Sequence, residues 1–79
     1  MEIKILGSGC AKCKSLYEIT KQAVEALGIE ANLVKEEDMM KIISYNVMRT
    51  PAIVIDEKVV SQGKEHTVES AKKLIQSLL

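Results

Sequence analysis

From Glu2 to Leu6 the chain alternates, with Ile3 and Ile5 on one side. A period of two predicts a strand with one buried face. Gly7, Ser8 and Gly9 then read as a flexible turn. From Ala11 to Leu27 the period changes: Leu16, Ile19, Ala23, Val24 and Leu27 recur at helical spacing, and Gly28 is a natural helix stop. Ile29 to Lys35 predicts a second strand, with Ile29, Ala31 and Leu33 alternating. Glu36, Glu37 and Asp38 place negative charge where a helix begins, and Met39, Met40, Ile42, Ile43 and Tyr45 continue it. Asn46 suits the left-handed conformation that ends such a helix. Thr50-Pro51 interrupts the pattern. Ala52 to Ile55 is a compact apolar strand, turned by Asp56 and Glu57 into a hairpin with Lys58 to Ser61. Thr67 caps a last helix whose apolar face is Val68, Ala71, Leu74, Ile75 and Leu78.

The order strand, helix, strand, helix, strand, strand, helix predicts an α/β protein. Its first half is a βαβ unit, so its strands run parallel with a right-handed crossover. The last two strands form an antiparallel hairpin. A mixed four-stranded sheet flanked by three helices follows. With no repeat, linker or low-complexity segment, residues 1–79 read as one domain.

The chain has 79 residues, so its core is small and has little to spare. That core is aliphatic: Phe and Trp are absent, and Tyr17 and Tyr45 are the only aromatic residues. Met39, Met40 and Met48 read as gap-filling core or near-core positions. Eleven basic residues balance eleven acidic ones, which gives no electrostatic footprint for nucleic acid or an anionic membrane. No apolar run approaches the length of a transmembrane helix, and no secretory signal is visible. Two cysteines are too few for a secreted disulfide scaffold. The expectation is a cytoplasmic monomer with no cofactor.

Those cysteines, Cys10 and Cys13, are three residues apart at the strand-to-helix junction. Unpaired N–H groups and the positive end of the helix dipole favour a thiolate there. A thiol pKa lowered to about 7 leaves roughly half the sulfur ionised near neutral pH. The spacing lets the second sulfur attack a mixed disulfide formed by the first. This is the chemistry of a dithiol redox module.

Gly9-Cys10-Ala11-Lys12-Cys13 after the first strand, Thr50-Pro51 before the third and Gly63 after the hairpin occur in one order and spacing. With them, the whole chain resembles the small prokaryotic thioredoxin/glutaredoxin-like redox-active disulfide proteins, which have a minimal thioredoxin fold, βαβαββα. The resemblance implies a thiol–disulfide oxidoreductase reducing protein disulfides. Cys10 is then the nucleophile and Cys13 the resolving thiol, with exchange through a mixed disulfide on Cys10. It also implies a cis bond before Pro51, facing the disulfide, with Thr50 offering backbone groups to an extended substrate segment. Gly9 and Gly63 complete the substrate-binding set, although Gly63 also reads as a plain turn glycine. Lys12 and Lys14 either lower the Cys10 pKa or form a solvated helix face. Tyr17, four residues after Cys13, either shields the disulfide or simply packs. His66 reads as part of a surface turn.

The chain departs from typical members in three places. Ala11-Lys12 stands between the cysteines instead of Gly-Pro or Pro-Tyr. No tryptophan precedes Cys10. Lys4 occupies the place in the first strand where thioredoxins carry a buried carboxylate that accepts the resolving cysteine's proton. The resemblance therefore leaves open whether the electron donor is an upstream reductase or a low-molecular-weight thiol, and glutathione use does not follow from it.

The competing reading is a metal module holding Cu(I) or Zn between the two cysteines, since thiolates suit Cu(I). Copper-carrier domains with this motif end in a strand, whereas this chain ends in an amphipathic helix. Structural zinc needs four ligands, which one chain does not bring together. A docking or redox-sensing domain without turnover is the third reading.

Overall fold

The computed structural model describes residues 1–7 and 11–79. Ser8 and two predicted site residues, Gly9 and Cys10, lie outside the described residues. The elements are β1 (Glu2–Leu6), α1 (Ala11–Leu27), β2 (Asn32–Glu36), α2 (Met39–Ser44), β3 (Ala52–Ile55), β4 (Lys58–Gln62) and α3 (Val68–Gln76). The sheet order is β2-β1-β3-β4. β2 runs parallel to β1, and the β1–β3 and β3–β4 pairs are antiparallel. This is the α/β architecture expected from the pattern.

The alternation in β1 sorts its side chains to two faces. Ile3 and Ile5, with Ile53 and Ile55 of β3, meet Leu16 and Ala23 of α1 and Ala71 and Ile75 of α3. Leu6, Ala52 and Val54 meet Ile42 of α2 on the opposite face. β3 is buried at all four positions because helices cover it on both sides. Each fully buried isoleucine contributes about 1.5–3 kcal/mol relative to exposure, so this small set dominates the stability of the fold.

The buried side of α1 is Cys13, Leu16, Thr20 and Ala23, at spacings of three and four. Thr20 is the one buried polar residue among those described. Its hydroxyl donates to the Leu16 carbonyl at 2.7 Å, which satisfies it without leaving the helix.

β2 begins three residues later than the alternation predicts. Glu2 pairs with Asn32, and the Asn32 N–H reaches the Met1 carbonyl at 2.9 Å. The parallel ladder starts at that pair and does not take in positions 29–31. Ile29 and Ala31 still pack against the core, so their alternation reflects burial without a ladder. The three methionines are a clearer correction. Met39, Met40 and Met48 are 55, 76 and 90% exposed. α2 is only six residues long and buries Ile42 alone, so the methionines flanking that position face outward.

The hairpin turn places Asp56 at φ 47° and Glu57 at φ 70°, left-handed at both positions. This matches the right-handed twist of the strands although neither residue is glycine. Lys4 donates from Nζ to Glu57 Oε1 at 3.1 Å and to the Tyr45 hydroxyl at 2.8 Å, and the Tyr45 hydroxyl donates to Glu57 Oε2 at 3.1 Å. One lysine thus ties β1, the end of α2 and the hairpin turn together.

Candidate active site

The site is built at the end of β1. The Gly7 N–H continues the parallel ladder to the Glu36 carbonyl at 3.0 Å. α1 starts at Ala11, the residue directly after Cys10. Its first turn directs Cys13 inward, where the side chain is buried. A Cβ added to Gly7 would overlap Cys13 Sγ, lie 3.2 Å from Cys13 Cβ, and come within 4.0 Å of Pro51 Cα. Gly7, Cys13 and Pro51 therefore converge on one point. Read from sequence, Gly7 was a flexible turn residue. Its position at the last step before the cysteine motif is the signal that only hydrogen fits, because backbone and sulfur approach so closely.

The Thr50–Pro51 bond is cis, and Pro51 is buried while Thr50 is exposed. The Pro51 carbonyl accepts from the Gly63 N–H at 2.9 Å. Gly63 has φ 67°, and a Cβ there would sit 2.9 Å from Arg49 Cβ. Gln62 Oε1 accepts from the Met48 N–H at 3.0 Å. The end of β4 and Gly63 thus hold the segment from Met48 to Pro51 in place. Gly63 acts here on backbone conformation and close packing.

A cleft of about 300 Å³ opens beside Pro51. The first turns of α1 supply Ala11, Lys12, Ser15 and Ile19, and the loop before α3 supplies Lys64, Glu65 and His66. Lys12 Nζ and Glu65 Oε1 face each other at 4.0 Å, with both side chains largely solvated (70 and 82% exposed). Lys14 is exposed on the same turn and does not line the cleft.

His66 is more than a surface turn residue. It is half-buried, with Nε2 2.8 Å from Ser61 Oγ and Nδ1 3.1 Å from Ser70 Oγ. Ser70 Oγ accepts from the Thr67 N–H and donates its own proton to the Thr67 carbonyl. Ser61 and Ser70 thus hold the imidazole through both of its nitrogens. Sequence spacing gave no hint of this: His66 lies between Ser61 of β4 and Ser70 of α3 and touches both.

Lys4 is not a stand-in for a proton-accepting carboxylate. The Tyr45 hydroxyl, the Glu57 carboxylate and the Glu2 carboxylate all hold its ammonium, pushing its pKa well above the ordinary lysine value. The same contact with Lys4, then that with Tyr45, lowers the Glu57 pKa. Tyr17 packs against the main core cluster, and Lys35 Nζ lies 5.6 Å from its ring centre. Among the described residues no group of three or more His, Cys, Asp and Glu is placed to hold a metal ion.

A buried cysteine in the first turn of a helix, with a cis-proline directly before a central strand converging on the same point, defines the thioredoxin-type arrangement. A family model described as the thioredoxin domain matches residues 1–76. The chain is 43% identical over 77 residues to a protein of Methanocaldococcus jannaschii named thioredoxin, covering 98% of this chain and 88% of that one. It is 32% identical over 75 residues to a thioredoxin of Methanothermobacter thermautotrophicus, covering 95% of this chain and 97% of that one. The chain belongs to the thioredoxin family and is a thiol–disulfide oxidoreductase.

Proposed function

We propose that this chain reduces disulfide bonds in proteins by cycling Cys10 and Cys13 between dithiol and disulfide. Cys10 is the nucleophile. Its thiolate attacks one sulfur of the substrate, and the departing thiolate takes up a proton. Cys13 then displaces the second substrate thiol from the mixed disulfide and closes the Cys10–Cys13 bond. Two electrons pass to the substrate, and an upstream reductase or a low-molecular-weight thiol returns them.

The observation that carries this reading is the convergence of Cys13, Gly7 and cis-Pro51. Cys13 is buried in the first helical turn, as suits a resolving thiol that acts inside the protein. Cys10 precedes the first residue of α1, where helix N–H groups favour a thiolate. Lys12 and Lys14, both exposed on that turn, add positive charge. Thr50, exposed beside Pro51, offers its backbone to an extended substrate segment, with Gly9 and Gly63 completing the binding surface. The protein works as a monomeric domain of residues 1–79 in the reducing cytoplasm; no described helix is long and apolar enough to cross a membrane.

The test is insulin reduction with dithiothreitol as donor. The wild-type protein accelerates it, Cys10→Ser abolishes the acceleration, and Cys13→Ser accumulates mixed disulfides on Cys10. Full turnover by Cys10→Ser contradicts the assignment of roles.

A further inference from the structure

The cleft beside Pro51 carries a charge pattern that the exchange chemistry itself does not require. Its rim holds two ammonium groups, Lys12 from α1 and Lys64 from the loop before α3, and one carboxylate, Glu65. Glu65 faces Lys12 at 4.0 Å, the outer limit of an ion pair, with both groups in water. Such a pair is weak and exchanges readily for another carboxylate. Behind the rim the cleft is walled by the apolar Leu16, Ile19 and Pro51, and its volume of about 300 Å³ suits a short chain ending in one charged group. Ala11, covalently next to Cys10, is part of the same wall.

We propose that this cleft selects disulfides in which a carboxylate flanks the reacting sulfur, with Lys64 and Lys12 binding the carboxylate and Glu65 competing for Lys12 in the unliganded protein. The proposal rests on the Cys10–Cys13 exchange reading above. Each turnover oxidises the two protein thiols to one disulfide and reduces R–S–S–R to two R–SH. The protons leaving the protein thiols end on the two departing thiolates.

The experiment is single-turnover oxidation of the pre-reduced protein by three small disulfides: dithiodipropionate (anionic), hydroxyethyl disulfide (neutral) and cystamine (cationic). The readout is each rate constant divided by the rate constant of the same disulfide with dithiothreitol, which removes intrinsic reactivity. The expected order is anionic above neutral above cationic at low salt, collapsing toward equality at about 0.5 M salt. Lys64→Ala lowers the anionic-to-neutral ratio about two- to fivefold, and Glu65→Gln raises it. Lys73→Ala, which removes the same charge from the exposed side of α3, leaves the ratio unchanged. Paired peptide disulfides with Glu or Lys next to the cysteine distinguish the source of the carboxylate. Preference for Glu extends the site to protein substrates, and preference confined to dithiodipropionate assigns it to a small carboxylated thiol. Equal normalised rates for the three disulfides, or equal shifts in Lys64→Ala and Lys73→Ala, overturn the proposal while leaving the exchange reading intact. Oxidation of the pair by none of the disulfides overturns the exchange reading itself.

Discussion

The sulfur of Cys13 occupies the space that a side chain on Gly7 would need. The requirement is steric, since Gly7, unlike Gly28 and Gly63, does not have a positive φ. Gly7→Ala should therefore destabilise the protein by about 1–3 kcal/mol, the usual cost of forcing an extra methyl group into a packed site. In a Cys13→Ala background the same substitution should cost about half as much or less, because the sulfur is gone. Urea unfolding of the two single variants and the double variant measures this coupling. Additive costs would show that Gly7 and Cys13 do not share the space.

The Lys4–Tyr45–Glu57 network predicts a pH dependence with a definite sign. The Glu57 carboxyl is held below its ordinary pKa in the folded protein, chiefly by Lys4. Its contribution is present above the unfolded value and is lost as pH falls through the folded one. Lys4 is raised, so its contribution is complete below the ordinary lysine pKa and fades only as strongly alkaline pH is reached. Urea midpoints followed from neutral pH into the acid range should fall less steeply for Glu57→Gln than for wild type. Glu57 is 66% exposed, so added salt should shrink the difference. Identical acid limbs would remove Glu57 from the account.

The start of α3 is held by a reciprocal cap: Thr67 Oγ1 accepts from the Ser70 N–H at 3.1 Å, and Ser70 Oγ accepts from the Thr67 N–H at 2.9 Å. Thr67→Ala should cost about 1 kcal/mol of stability. Ser70→Ala should also release His66 Nδ1 from its partner. The ring-nitrogen chemical shifts of His66 should then change in Ser70→Ala and remain unchanged in Thr67→Val.

Burial separates two apolar residues that look alike in sequence. Ile53 is 2% exposed and Met48 is 90% exposed. Ile53→Ala should cost about 2–5 kcal/mol. Met48→Ala should stay within about 0.5 kcal/mol of wild type. A large loss for Met48→Ala in thermal unfolding would place that residue in the core after all.

The sequence reading succeeded where one periodicity acted without competition. Ile3 and Ile5 marked the buried face of β1, and Thr67 with Val68, Ala71, Leu74 and Ile75 marked α3 and its cap. It failed where the outcome depended on what stood opposite. Ile29 and Ala31 alternate like a strand, yet the parallel ladder with β1 starts only at Glu2–Asn32. Met39 and Met40 have core character, yet α2 is too short to bury more than Ile42. The cis bond before Pro51 was reached only through the family resemblance, since a lone Thr-Pro step by itself favours trans. The packing of Gly7 on Cys13 and the link from His66 to Ser61 and Ser70 were not legible, because Gly7 and His66 stand in connecting segments, where no hydrophobic period marks a partner.

The central claim is that Cys10 and Cys13 form a reversible redox couple. The most direct test is a redox titration of the protein against defined dithiothreitol buffers, with the thiols at each point counted by alkylation and mass spectrometry. One reversible two-electron transition is expected, near the potentials of cytosolic reductants, in which both cysteines change state together. A pair that stays reduced across the accessible range, or two cysteines that titrate independently, would contradict it.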